Sequence, residues 1–233
     1  MSNDKDTRTK LTSGKHFIKI PNDMFMKKET EEYVFYLTIF YYVLMNENRC
    51  GLSKFSLSEI LYDVLGYKEN RKKPMSALNK IIKSLYRIQE EGYIELISDI
   101  ESVKLSEIIY AKIKCRPNPE NNYVELYWNE FNAIVQLFKC YSDEINISIS
   151  STFRFYLYIK NRTYNGTRDC VQSSESIGSD LGYSKQTSNS CVKILLNESN
   201  IYTALITRDI HYEGGNRANV SYKLNSKFDL KNK

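Results

Sequence analysis

A short polar stretch near residue 185 carries side chains suited to reading a nucleic acid. Residues 184–190 run Ser-Lys-Gln-Thr-Ser-Asn-Ser, so each side chain is hydrogen-bonding and none is acidic. Glutamine and asparagine can each form two hydrogen bonds with adenine, and serine, threonine and lysine suit bases or phosphates. A solvated polar helix face is the alternative. We predict DNA contacts from this stretch and from one lysine beyond it: Ser184, Lys185, Gln186, Thr187, Ser188, Asn189 and Lys193.

Basic residues concentrate around residue 70. The cluster comprises Lys68, Arg71, Lys72 and Lys73, with Lys80 and Lys83 further along. Positive clusters of this kind neutralise phosphates better than they read bases. Two neutral residues nearby, Ser76 and Asn79, could reach base edges. We predict DNA contacts from all eight residues, with a solvated charged loop as the alternative.

A third group of basic residues surrounds a pair of glycines. The segment Glu213-Gly-Gly-Asn-Arg217 separates two strand-like runs, 201–210 and 219–224, which predicts a β-hairpin. A basic residue at a hairpin tip can bind phosphate or enter the minor groove. We therefore predict DNA contacts at Arg208, His211 and Arg217, and an ordinary hairpin with incidental basic residues is the alternative.

The elements that must position these residues occur twice along the chain. Ser58-Glu59 precedes Leu65-Gly66-Tyr67 at the same spacing at which Ser174-Glu175 precedes Leu181-Gly182-Tyr183. Upstream, 17–24 parallels 124–131, and downstream an apolar-Lys-x-Leu run occurs at 82–85 and 192–195. Matches in the same order indicate an internal duplication. Prolines and asparagines at 116–122 mark a linker, so we predict a disordered arm at 1–14, unit one at 15–118 and unit two at 119–233.

Each unit is predicted to contain three helices followed by a strand pair. The first helix is aromatic-rich, Ser56 or Ser58 caps the second in unit one, and Gly66 and Gly182 take the positive φ that ends the second helix. The third helix spans 74–91 in unit one and 184–198 in unit two. Strands follow at 94–97 and 108–114, and at 201–210 and 219–224. This order predicts an α+β, helix-rich fold of two tandem winged-helix domains, each a helix-turn-helix with a β-hairpin wing. Such a module places its third helix in the major groove.

Three motifs of unit one are shared with a known group of proteins: Lys19-Ile20-Pro21-Asn22, Ile82-Lys83-Ser84-Leu85 and Gly92-Tyr93-Ile94. Through them the chain resembles the helix-turn-helix replication initiators of Gram-positive plasmids and phages. The resemblance implies binding to repeats at a replication origin. Expected partners are double-stranded DNA, a second copy of the chain on that DNA and other replication proteins.

Composition narrows the remaining function classes. The net charge of +5 favours an anionic partner. The five cysteines form no C-x-x-C pair and the two histidines lie far apart, so we expect reduced thiols and no metal site. The sequence has no nucleotide-binding glycine loop or hydrolase motif, so we expect no enzyme and no cofactor. It has no apolar leader, and the apolar stretch 33–45 is too short to span a bilayer, which predicts a cytoplasmic protein without membrane contact.

The sequence thus predicts a sequence-specific DNA-binding protein that initiates plasmid or phage replication. A transcription regulator with the same DNA-binding parts is one alternative. A winged-helix adaptor that holds a helicase or another protein is the other.

The two predicted contact groups differ in role. Replacing Gln186 and Asn189 by alanine should cost about 1–3 kcal/mol per lost bidentate contact on the cognate site and little on random DNA. Replacing Arg71, Lys72 and Lys73 by alanine should weaken binding to both duplexes and flatten the salt dependence. Fluorescence anisotropy on cognate and scrambled duplexes at matched salt measures both effects, and an equal loss on both duplexes for the Gln186/Asn189 variant contradicts the assignment.

Overall fold

The computed structural model describes residues 17–26, 34–68, 75–141, 144–145, 147–198, 203–213 and 217–225. Over these ranges the chain is an α+β protein of helices and small antiparallel sheets. No helix within them has the length and apolar character needed to cross a membrane. The predicted arm at 1–14, the basic residues Arg71, Lys72 and Lys73, and the glycines 214–215 lie outside the described residues.

Unit one begins with a strand and ends with a three-stranded sheet. Its helix α2 is buried along nearly its whole length, from Leu37 to Leu44, as its aromatic sequence predicts. The predicted second helix is a π-helix in which the Leu65 N–H donates to the Ile60 carbonyl at 2.9 Å. Gly66 follows with φ +73°, as predicted. The elements are β1 (Phe17–Pro21), α1 (Asn22–Met26), α2 (Tyr36–Met45), β2 (Leu52–Ser56), the π-helix (Glu59–Val64), α3 (Met75–Glu90), β3 (Ile94–Leu96) and β4 (Ile108–Ile113).

Unit two repeats this order around a two-stranded sheet. The strand order of the sheet in unit one is β2-β4-β3. In unit two, Cys170 forms a β-bridge with Tyr222 of β7, and this bridge corresponds to the pairing of β2 with β4. Gly182 ends α6 with φ +74°, again as predicted. The elements are β5 (Tyr123–Tyr127), α4 (Trp128–Tyr141), α5 (Ile149–Arg162), α6 (Ser174–Leu181), α7 (Lys185–Leu196), β6 (Ile206–Glu213) and β7 (Arg217–Leu224).

The sequence analysis did not predict helix α4. The alternating apolar residues at 123–127 predict a strand. A side chain from the next segment marks the end of that strand. Glu130, in the first turn of α4, accepts a hydrogen bond from the Tyr127 N–H at 2.9 Å. The carboxylate therefore satisfies an amide that a helix start leaves without a partner, and the chain turns from strand to helix. The predicted strand at 201–210 also begins later, at Ile206, because Leu205 donates to the Leu195 carbonyl at the end of α7.

Strands β1 and β5 join the two units. They pair antiparallel from Phe17 opposite Tyr127 to Pro21 opposite Tyr123. Behind them the Tyr41 ring of unit one packs on Phe131 of unit two, with 4.9 Å between ring centroids. One continuous core therefore crosses the predicted linker. The division into domains at residue 118 stays a prediction.

Helices α6 and α7 pack closely at Gly178, whose φ is not in the positive range. A Cβ atom added at Gly178 would lie 1.8 Å from Ser188 Oγ and 2.9 Å from Ser188 Cβ. Both residues are fully or almost fully buried. Glycine at this position is therefore needed for close approach of the two helices.

We predict that Gly178→Ala destabilises the protein by roughly 1–2 kcal/mol, because overpacking costs about 1–3 kcal/mol and outweighs the gain of about 1 kcal/mol in helix propensity. Urea unfolding followed by circular dichroism measures the difference. Ser179→Ala, at the exposed neighbouring position on the same helix, is the control and should change stability little. Stabilisation by Gly178→Ala would contradict the close approach.

Candidate nucleic-acid interface

The start of α7 is held by a side-chain cap. Ser184 Oγ accepts a hydrogen bond from the Thr187 N–H at 3.1 Å, which satisfies one of the free amides of the first turn. The apolar residues Cys191, Ile194 and Leu195 face the core. The opposite face of α7 therefore projects outward and lines an open groove of about 660 Å³, whose α7 residues are Lys185, Gln186, Asn189, Ser190 and Lys193.

Three of the residues predicted on this stretch serve the fold. Ser188 is fully buried, and its hydroxyl donates to the Ser184 carbonyl at 2.9 Å. Its prediction as a DNA contact is wrong, because its place against Gly178 leaves no path to a partner outside. Thr187 is half-buried, and its hydroxyl lies 2.9 Å from the Ser184 hydroxyl, so both residues build the helix start.

Two carboxylates from other elements pair with lysines of α7, and neither was predicted from the sequence. Lys185 Nζ lies 3.2 Å from a Glu175 oxygen on α6, and Lys193 Nζ lies 3.3 Å from a Glu144 oxygen beyond α4. Asn189 accepts a hydrogen bond from Ser174 at 2.9 Å. These residues lie 10–49 positions away in sequence, so a local reading of 184–190 could not reveal them.

Helix α3 of unit one presents a matching groove. Ala77, Ile81, Leu85 and Ile88 are buried on one side of α3. The other side lines an open groove of about 630 Å³ that contains Ser76, Asn79, Lys80, Lys83, Tyr86 and, from the segment between β3 and β4, Glu101. Four predicted residues therefore come together here, whereas Lys68 is exposed just after the Gly66 turn and is not among the groove residues.

The two grooves carry the same side chains at equivalent positions. When the repeated Ile82-Lys-Ser-Leu85 and Val192-Lys-Ile-Leu195 runs are aligned, Asn79 matches Asn189 and Lys83 matches Lys193. Ser76 matches Gln186 by the same alignment. In both helices the lysine follows the asparagine by four residues, so the two lie on one face. Each groove therefore offers an amide and a cation one helical turn apart.

Arg208 and His211 lie on opposite faces of the hairpin. Arg208 pairs opposite Tyr222, five positions before the last pair, Glu213 opposite Arg217. Its guanidinium lies 3.4 Å from Glu198 near the end of α7, away from the hairpin tip, and its contact with DNA stays a prediction. His211 lies three residues further along β6 and faces the other side of the hairpin, where its Nε2 lies 3.4 Å from the Ser221 hydroxyl.

Two further charged residues of the hairpin pair with each other. Lys223 lies 2.7 Å from Asp209 across the strands, and this lysine lowers the pKa of the Asp209 carboxyl. The side chain of Arg217 lies outside the described residues.

The chain matches no protein-family model, no curated protein and no solved structure. Among the residues that the structure describes, histidine, cysteine, aspartate and glutamate side chains do not gather in threes that could hold a metal ion.

We predict that Ser184→Ala lowers the free energy of unfolding by about 1 kcal/mol, because the first turn of α7 loses its cap. Ser184→Gly should cost only a few tenths of a kcal/mol, since glycine is tolerated at this position. Thermal unfolding of the three proteins side by side checks the order. If the alanine and glycine variants are equally stable, the cap does not hold the helix start.

Proposed function

We propose that this protein binds double-stranded DNA sequence-specifically, with α3 and α7 each in a major groove. The single observation that carries the proposal is the repeated pair Asn79/Lys83 and Asn189/Lys193 on the exposed sides of two equivalent helices. After an internal duplication, packing in the core is reason enough for buried residues to stay alike in the two units. Identical polar residues on both outward faces instead suggest a common ligand.

The chemistry of this pair fits a duplex. Asparagine can donate to adenine N7 and accept from its N6 amino group across the major groove, and lysine can bind the phosphate backbone. The major groove, about 12 Å wide, admits one α-helix. Helix α7 would enter with Lys185, Gln186 and Asn189 near its start, as third helices of this kind do.

The element order supports a tandem winged-helix architecture. Each unit has a buried aromatic helix, a helix pair joined by a positive-φ glycine, and an antiparallel strand pair that packs behind it. In this proposal β3–β4 and β6–β7 are the wings.

We further propose that the DNA is a set of repeats at a replication origin. Support comes from the Lys19-Ile20-Pro21-Asn22, Ile82-Lys83-Ser84-Leu85 and Gly92-Tyr93-Ile94 motifs, which resemble those of plasmid and phage initiators. In this role the chain is a binding protein rather than an enzyme. It acts in the cytoplasm with a second copy on the DNA and with other replication proteins.

Selection of duplexes from a randomised pool tests the proposal directly. The wild-type chain should enrich a defined sequence, and its affinity for that duplex should fall steeply with salt. Lys83→Ala should flatten the log–log salt slope by about one unit on enriched and scrambled duplexes alike, and Lys193→Ala should change the slope in the same direction. Asn79→Ala and Asn189→Ala should each cost about 1–3 kcal/mol on the enriched duplex only.

Lys54→Ala is the matched control, because Lys54 is exposed on β2 and lines neither groove. It should leave both affinities close to wild type. Failure of the pool to converge, together with binding that does not respond to salt, would contradict DNA recognition. Footprints of the enriched sequence on origin repeats rather than on promoters would support the replication role.

A further inference from the structure

Both lysines of the α7 groove are paired with carboxylates. Lys185 and Lys193 each lie within 3.3 Å of a carboxylate oxygen, and neither carboxylate belongs to α7. Glu175 comes from the first turn of α6, and Glu144 comes from the turn after α4. The α3 groove also contains a carboxylate from another element, Glu101, which accepts a hydrogen bond from Tyr86 at 3.3 Å.

The position of Glu144 is built into the fold. Its N–H and that of Ile145 both donate to the Tyr141 carbonyl, at 3.0 and 3.1 Å. The Tyr141 ring lies 5.5 Å from the ammonium group of Lys193, and the Tyr141 hydroxyl donates at 2.9 Å to Asn197, which caps the end of α7. The end of α4 is thus fastened to α7 at the turn of the helix that carries Lys193.

We infer that Glu144, assisted by Glu175, is an internal counterion that weakens sequence-independent binding of α7 to DNA. This inference rests on the proposed function. A phosphate that approaches Lys193 must displace the Glu144 carboxylate and then lie close to a second negative charge. Binding to an arbitrary duplex comes almost entirely from its phosphates. The repulsion between carboxylate and phosphate therefore weakens the main contribution to that binding. A cognate duplex also gains base contacts from Gln186 and Asn189.

The same exchange changes how binding responds to salt. When Lys193 leaves Glu144 for a phosphate, the DNA releases a cation but the freed carboxylate attracts one. The net ion release is therefore smaller than a lysine–phosphate contact would otherwise give. Removing the carboxylate should restore the full contribution of that lysine to the salt slope.

Glu144→Gln, which keeps the shape of the side chain and removes its charge, tests the inference. Affinity for a labelled scrambled duplex should rise about two- to fivefold, the range that one exposed ion pair accounts for. The salt slope should steepen by up to about one unit. The gain on the enriched duplex should be no larger than the gain on the scrambled one.

Two further variants isolate the cause. Asp63→Asn is the matched control for net charge, because Asp63 pairs with Lys139 of α4 at 3.3 Å, the same distance as in the Glu144–Lys193 pair, and is similarly exposed. It should shift neither affinity nor slope beyond the general effect of one charge. In a Lys193→Ala background Glu144→Gln should have no effect beyond the general effect of one charge, because the lysine through which it acts is absent.

The outcomes separate this inference from the proposed function. Wild-type protein without salt-dependent binding to either duplex overturns both. Wild-type binding with equal behaviour of Glu144→Gln and Asp63→Asn overturns the inference alone. Weaker binding of Glu144→Gln to the enriched duplex alone overturns it as well, and would instead assign Glu144 to a cytosine amino group.

Discussion

The pairing of β1 with β5 is the constraint on which the rest of the structure depends. A two-stranded ribbon is marginal by itself, and in the described sheets each of these strands has the other as its partner. Their inward residues Ile18, Ile20, Val124 and Leu126 are almost completely buried. The register runs symmetrically about Lys19 opposite Glu125, so equivalent strands of the two units meet around a local two-fold axis. Neither unit completes its first layer without the other.

The turn before α3 lies against unit two, and the turn before α7 is linked to unit one through Arg154. A Cβ at Gly66 would approach the Phe138 ring of α4 to 3.2 Å, so the turn before α3 lies against unit two. Arg154 on α5 donates to the Phe25 carbonyl of unit one at 2.9 Å and to the Tyr183 hydroxyl at 3.1 Å. A guanidinium that is 2% exposed is tolerated only where such hydrogen bonds satisfy it. Both third helices are therefore held in place by one shared core.

Local chemistry was predictable from the sequence, and relations between distant segments were not. Gly66 and Gly182 have the predicted positive φ because a helix end makes that demand within a few residues. The burial of Ser188 depends on Gly178 in the preceding helix, and α4 depends on a carboxylate that reaches back to Tyr127. Glu144 and Glu175 reach the lysines of α7 only because α4 and α6 pack beside α7 in the folded chain. None of these contacts between distant segments can be inferred from the order of residues along the chain.

A shared core also limits how the proposed DNA contact can form. Two modules on a loose linker could each settle on the duplex independently, whereas α3 and α7 are tied through Tyr41, Phe131 and Arg154. Any mismatch between the spacing of the helices and that of successive major grooves would then fall on the DNA, as bending or twisting energy that depends on its sequence. Base pairs between the two contact regions would influence affinity without being touched. Fixed geometry and internal counterions act together here, because both withhold binding energy from a duplex that offers only phosphates.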